Sequence, residues 1–182
     1  MSRGFSKLVC VVGILAAAVA LVPATAAPST RQPQTARATL TALESGVLQE
    51  LNAIRHEHGL VPLKLNARLT AASVQHSRDM VAKGYFKHES ADGSAFWKRV
   101  QRYYGQGRYG YWSVGENLLW SSPGVDAKRA LELWMESPEH KANILTAKWR
   151  EIGISAVHAQ AAPGTYNGLE VTVITTDFGT RR

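Results

Sequence analysis

A single cysteine sets the terms on which this chain can fold. It is Cys10, and it lies within an apolar run, residues 8–22, that comes after a start carrying Arg3 and Lys7 and no acid. The run closes on Pro23-Ala24-Thr25-Ala26-Ala27-Pro28. A charged start, a short apolar stretch and small residues at an Ala-x-Ala site are the parts of a secretory signal peptide. Export is therefore expected, with cleavage after Ala26 or Ala27. The run falls short of the ~20 residues that a spanning helix needs, which makes an uncleaved membrane anchor the lesser alternative. Leu8-Val9 before Cys10 supplies no small residue, and the cysteine opens the apolar run instead of ending it, so lipid attachment is set aside. Cleavage would remove the only thiol. Exported domains commonly lean on disulfides; this one must be held together by its apolar core alone.

The organisation read from sequence is a signal over residues 1–26, a flexible leader over 27–40 and one domain over 41–180. The leader is rich in Pro, Thr, Gln and Arg and has no apolar period. The remainder of the chain is long enough to bury a sizeable core. Net charge is +7, or +5 without Arg3 and Lys7, and the basic residues are scattered apart from Lys98-Arg99-Gln101-Arg102 and Arg181-Arg182. So mild an excess reads first as solvated surface and second as peripheral attraction to an anionic envelope. No Gly-rich loop joins a strand to a helix in the manner of a phosphate cradle, and no nucleic-acid partner is expected.

Apolar periodicity places four helices. Leu43, Val47, Leu51 and Ile54 form one stripe over residues 41–58, with Gly59 where a C-terminal cap belongs. Asn66 is a good N-cap for a second helix over 67–83, stopped by Gly84, with Leu69, Ser73, His76 and Met80 on one face. Shorter helices are expected over 95–104 and 126–137, the latter closed by Pro138. Residues 112–119, 152–158 and 169–178 have strand composition. Tyr166-Asn167-Gly168 supplies a turn that would pair the last two strands. Helices outnumber strands, and the strands cluster late. The expected fold class is α+β, a small antiparallel sheet covered by helices in an α-β-α sandwich.

Two histidines stand in polar, loop-like surroundings: His88 in Phe86-Lys87-His88-Glu89-Ser90, and His140 in Ser137-Pro138-Glu139-His140-Lys141. Between them is Gly115-Glu116-Asn117-Leu118, a carboxylate on an apolar strand, costly to bury without a partner. Two imidazoles and one or two carboxylates would satisfy one another, and could also hold a metal or move protons. Spacing alone leaves both readings open. The remaining histidines read as lying outside any site: His56 and His58 close a helix as capping or surface residues, where they meet its C-terminal dipole, His76 lies on an apolar stripe, and His158 ends a strand and is expected to be exposed. The five tryptophans read as packing.

The blocks Phe86-Lys87-His88-Glu89-Ser90-Ala91-Asp92-Gly93-Ser94, Gly115-Glu116-Asn117-Leu118, Trp134-Met135-Glu136-Ser137-Pro138-Glu139-His140-Lys141-Ala142-Asn143-Ile144-Leu145, Ile152-Gly153-Ile154 and Thr176-Asp177-Phe178-Gly179 resemble, in order and spacing, the short bacterial branch of the CAP superfamily of cysteine-rich secretory, SCP-like proteins. The resemblance covers about residues 43–179. It implies an α-β-α sandwich with an open cleft lined by two histidines and two acids, where some members bind zinc. Matched by motif, His88 and His140 are the histidines and the metal candidates, and Glu116 is the first acid. Glu136 is the candidate for the second, with Glu139 as fallback, and Asn117 and Ser90 are supporting residues. The disulfide-rich loops of longer members are not carried over.

Two functions are expected to compete for that cleft. The first is non-enzymatic binding of an extracellular lipid, cell-wall polymer or protein, with or without a metal. The second is zinc-dependent, peptidase-like hydrolysis, with His88 and His140 holding the ion and Glu116 as general base. No nucleophile elbow is present, and Ser90 two residues after His88 does not establish a nucleophile–base pair. Binding leads.

Overall fold

The computed structural model describes residues 40–182; the signal peptide and most of the leader expected from sequence lie outside the described residues. Helix α1 (Ala42–Glu57) begins at Thr41, whose side chain accepts from the Glu44 amide while the Glu44 carboxylate accepts from the Thr41 amide, a complete capping box. Its buried stripe is not purely apolar: Val47 and Leu51 are joined by Glu44 and Arg55. Both charges are answered. Glu44 accepts from the Ala156 amide at 2.9 Å, and Arg55 donates to the carbonyls of Val61, Ile144 and Thr146.

Strand β1 (Lys64–Leu65) leads into α2 (Ala67–Lys83), capped by Asn66 and ended by Gly84 in the left-handed conformation, φ +68°. Then come α3 (Phe96–Tyr103), β2 (Trp112–Ser121), α4 (Ala127–Glu136), α5 (Pro138–Ile144), β3 (Glu151–Ala159), a single 3-10 turn (Gly164–Tyr166) and β4 (Val171–Arg181). One expected feature changes here. Pro138 does not merely close α4; it opens α5 as the first helical residue, where a missing N–H costs nothing, so His140 sits on a short helix and not in a loop.

The strands form one sheet in the order β1-β3-β4-β2, antiparallel except for the two-residue parallel pairing of β1 with β3. The expected pairing of β3 with β4 is present, although their connection is longer than a tight hairpin and carries the 3-10 turn, with Asn167 left-handed behind it. Strand β4 lies between β3 and β2 and is buried on both faces from Val171 to Thr180. One face packs Ile174 and Phe178 with Ile152 and Ile154 against Val47 and Leu51 of α1, Leu131 and Trp134 of α4 and Ile144 of α5. The other face packs Val171 and Val173 against Met80 of α2, and Leu69, Ala72, Val100 and Tyr104 make a third cluster where α3 leans on α2. The layers are therefore helix, sheet, helix, as expected.

Helix α2 crosses the sheet very close to its backbone. A Cβ built on Gly153 would overlap the main chain of Leu69 and Thr70. Toward that crossing the α2-facing residues of β4 turn from Val171 and Val173 to Thr175 and Asp177. Ser77 donates to the Thr175 hydroxyl at 2.8 Å, and Ser73 to the Asp177 carboxyl at 2.7 Å. A polar seam thus runs through one side of the sandwich. No helix among the described residues is long and apolar enough to cross a membrane.

Candidate functional site

The site gathers at the free edge of the sheet. Strand β2 is the edge strand, and its alternation sends Glu116 toward the α2 side and Asn117 toward α5. The loop after α2 carries His88; α5 carries His140. His88 thus meets Glu116 on one face of β2, and His140 lies beside Asn117 on the other.

Glu116 is its anchor. The side chain is fully buried, and its two oxygens have different partners: Oε1 accepts from His88 Nδ1 at 2.9 Å, and Oε2 accepts from the Arg99 guanidinium in a short ion pair. Arg99 is as buried as its partner. Its other terminal nitrogen donates to the His88 carbonyl and to Ser90 Oγ, each at 3.2 Å. Arg99 thus holds both the carboxylate and the loop that presents His88, and Ser90 contributes as a support for that loop. Since a carboxylate only accepts, His88 keeps its proton on Nδ1 and leaves Nε2 to the cleft. Half of the His88 side chain is exposed. The hydrogen bond to Glu116 raises the pKa of His88 above its ordinary value, against the opposing effect of burial.

His140 behaves in the opposite sense. Burial, and then the charge of His88, lower its pKa. Its position is fixed through the backbone. Asn117 Nδ2 donates to the His140 carbonyl at 3.1 Å, and Asn143 Nδ2 donates to Asn117 Oδ1 at 2.9 Å and to the Glu116 carbonyl at 3.2 Å. Asn117 therefore ties α5 to β2 beneath the cleft.

The second acid is not where the motif placed it. Glu136 stays on the outer face of α4, 65% exposed and 3.5 Å from Arg129, because the chain restarts at Pro138 before it could reach the cleft. Glu139 is exposed as well and accepts from Ser137 Oγ at 3.3 Å. The carboxyl group beside Glu116 belongs to Asp177, its cross-strand partner in the β2–β4 register. Asp177 is fully buried and accepts from Ser73; burial first, and the neighbouring Glu116 second, push its pKa well above the ordinary carboxyl value. Of the two, Asp177 is the carboxyl group that holds its proton more firmly than an ordinary acid. His76 completes the interior: Nε2 donates to the Lys87 carbonyl at 3.0 Å, and desolvation lowers its pKa to about 4.

Sequence reasoning does not single out Arg99, Asp177 or a site role for Ser73. Arg99 sits within a basic run that reads as solvated surface, yet the cost of burying Glu116 requires a permanent cation more than it requires an imidazole. The donor set does not fit a zinc ion. Catalytic zinc commonly takes three protein ligands, whereas no group of three or more His, Cys, Asp or Glu among the described residues is placed to hold a metal. Glu116 is moreover already paired with a buried guanidinium.

Comparison with known proteins agrees with this architecture. The family model for the cysteine-rich secretory protein family, CAP, matches residues 48–174. The uncharacterized protein YkwD of Bacillus subtilis is 31% identical over 138 residues, covering 75% of this chain and 51% of YkwD. An extracellular protein of Bacillus anthracis containing an SCP domain superposes with a TM-score of 0.54 at 26% identity, over 77% of this chain and 44% of that one. An outer surface protein of Borrelia burgdorferi superposes with a TM-score of 0.58 at 17% identity, over 75% of this chain and 90% of that one; it shares the fold. This chain spans about half the length of YkwD and less than half of the Bacillus anthracis protein.

Proposed function

The chain belongs to the cysteine-rich secretory protein (CAP) family, and from that premise we propose that it is an exported, non-enzymatic binding domain whose ligand meets the cleft between His88 and His140. Export is supported by the charged, apolar and Ala-x-Ala pattern of residues 1–27 and by the likeness to an extracellular protein of Bacillus anthracis. The observation that carries the binding reading is the state of Glu116. A general base needs a carboxylate that can reach a water or substrate proton, and both oxygens of Glu116 are turned inward to His88 and Arg99 with none of the side chain exposed. What the cleft offers is two imidazoles of opposite tendency. His88 holds its proton more firmly than usual and His140 less firmly. Imidazole edges that can donate or accept suit recognition of a polar ligand group.

The test has two arms. The full-length protein is exported from a host cell, recovered from the medium and sized by intact mass; a new N-terminus near Ala27 or Pro28 is expected, and a cell-retained, uncut chain overturns export. Zinc is then titrated calorimetrically into the recovered protein and into the His88→Ala/His140→Ala double variant, alongside assays for peptide and ester hydrolysis. Absence of turnover together with absence of one-to-one zinc binding supports the binding domain. Zinc binding lost in the variant, accompanied by turnover, replaces it with the hydrolase.

A further inference from the structure

A polar cavity of about 510 Å³, which shares no residue with the His88–Glu116–His140 site, is lined by Arg68, Gly105, Gly107, Arg108, Tyr109 and Arg181. Three chain segments build it: the first turn of α2, the loop after α3 and the end of β4. Three of its six lining residues are arginines, and none is acidic. We propose that this cavity is an anion site for a phosphate group carried on a larger polar body.

Arg181 is the organised member. Its guanidinium carbon lies 3.8 Å from the ring centroid of Tyr104 and 5.0 Å from that of Tyr109, between two aromatic faces. One terminal nitrogen donates to the Gly105 carbonyl at 3.2 Å. Its Nε is buried and has no hydrogen-bond partner among the described residues. A buried donor left without an acceptor is costly, and here it belongs to a stacked cation that lines a cavity. The carboxylate of Glu151 accepts from Asn66 Nδ2 and the Tyr104 hydroxyl and forms no salt bridge with these arginines among the described residues. Arg68 and Arg108 are exposed, with guanidinium forks free to turn toward a ligand.

The chemistry of the ligand is set by these donors. Guanidinium forks match phosphate and carboxylate oxygens in pairs. One carboxylate would engage one or two such forks, whereas a phosphate presents enough oxygens for three. The cavity falls within the ~300–1,000 Å³ of small-ligand sites, and inorganic phosphate alone would leave most of it empty. Tyr109, 38% exposed, and the open backbone at Gly107 leave room for a polyol or sugar attached to the phosphate.

The test titrates the full chain with glycerol 3-phosphate, with acetate as the carboxylate control, at low and high salt. Arg68→Gln/Arg108→Gln removes two exposed charges without touching the core, and circular dichroism verifies that it folds. Affinity for glycerol 3-phosphate is expected to fall about tenfold or more in that variant, as the loss of charge-assisted hydrogen bonds implies. Lys128→Gln/Lys148→Gln, an equal loss of exposed charge elsewhere, is expected to leave it unchanged. Sedimentation with phosphatidylcholine vesicles containing phosphatidylglycerol separates the sources. Vesicle binding lost in the arginine variant assigns the site to a lipid headgroup, and glycerol 3-phosphate binding without vesicle binding assigns it to a soluble or polymeric phosphate. Equal weakening by the lysine variant, acetate binding as tightly as the phosphate, or no binding of either phosphate source overturns the proposal.

Discussion

Asp177 stands directly opposite Glu116 in the β2–β4 ladder, so that two carboxyl groups share one buried face of the sheet with a single guanidinium, that of Arg99. Glu116 has the cation, and burial together with its neighbour's charge raises the pKa of Asp177. Replacement of Asp177 by Asn should therefore be tolerated, since the amide keeps an acceptor for Ser73 and carries no charge to bury. Asp177→Ala should cost about 1–3 kcal/mol by removing the Ser73–Asp177 hydrogen bond from the buried seam, although the Ser73 hydroxyl keeps the Leu69 carbonyl. The pH dependence has a definite sign. The folded chain keeps a proton on Asp177 that the unfolded chain releases above about 3.8. That contribution is full below 3.8 and is lost as pH rises through the folded value. Asn has nothing to lose, so the melting temperature of Asp177→Asn relative to the parent should climb as pH rises. A difference that stays flat from acid to neutral pH would mean that the Asp177 carboxyl titrates as it does in the unfolded chain.

Removing the charge of Glu116 has a different consequence. Glu116→Gln removes the charge that balances the buried Arg99 and leaves one acceptor oxygen where Arg99 and His88 each had one. Breaking one side of a buried pair typically costs about 3–5 kcal/mol, and chemical denaturation should report a loss of that order. His88 should change with it. Without the hydrogen bond that raises its pKa, the His88 imidazole should titrate at lower pH, which NMR can follow directly. A Glu116→Gln protein as stable as the parent would show that the carboxylate serves the cleft and not the fold.

His76 gives the acid limb. It is buried, and desolvation holds its pKa at about 4 against 6.5 for an ordinary histidine. Between those values the unfolded chain takes a proton that the native site refuses. The contribution is therefore intact above pH 6.5, drains away as pH falls toward 4 and levels off below, for a total on the order of a few kcal/mol. Asp177 acts in the opposite direction over part of the same range, so the parent curve alone mixes the two. The informative comparison is His76→Gln, which retains a donor for the Lys87 carbonyl. Its deficit in melting temperature near neutrality should shrink steadily between pH 6.5 and 4; a constant deficit would place the acid sensitivity elsewhere.

The sandwich is legible in the sequence because its helices and strands carry strong local signals. Asn66 and Gly84 bracket α2, the stripe of Leu43, Val47, Leu51 and Ile54 marks α1, and alternation from Val171 onward marks β4. The motif-bearing half of the site is legible for the same reason: His88, Glu116 and His140 stand in distinctive short blocks. What escapes is everything determined by packing between distant segments. Arg99 lies in a run of basic residues, and only the fold reveals that its side of α3 turns inward. Asp177 is polar at a β4 position where alternation calls for an apolar residue, and that is the available clue. Glu136 comes soon after Trp134 in the chain, but the helical break at Pro138 leaves it on the outer face of α4. Nothing in local propensity distinguishes the two carboxyl groups; the strand register does.

Gly153 tests whether the polar seam depends on the close crossing of α2. It pairs with Asp177 in the β3–β4 register, and a methyl group there would run into the backbone of Leu69 and Thr70 rather than a side chain that could swing away. Helix α2 would have to lift from the sheet. Ser73 rides on that helix, and its 2.7 Å bond to Asp177 lies one turn from the contact. Gly153→Ala should therefore destabilise by at least the ~1–3 kcal/mol typical of overpacking, and the loss should be coupled to the seam. In a double-mutant cycle with Ser73→Ala, the two changes should sum to less than their separate costs, because the lifted helix has already broken the serine bond. Strict additivity would show instead that α2 bends locally around the new methyl group and leaves the Ser73–Asp177 bond in place.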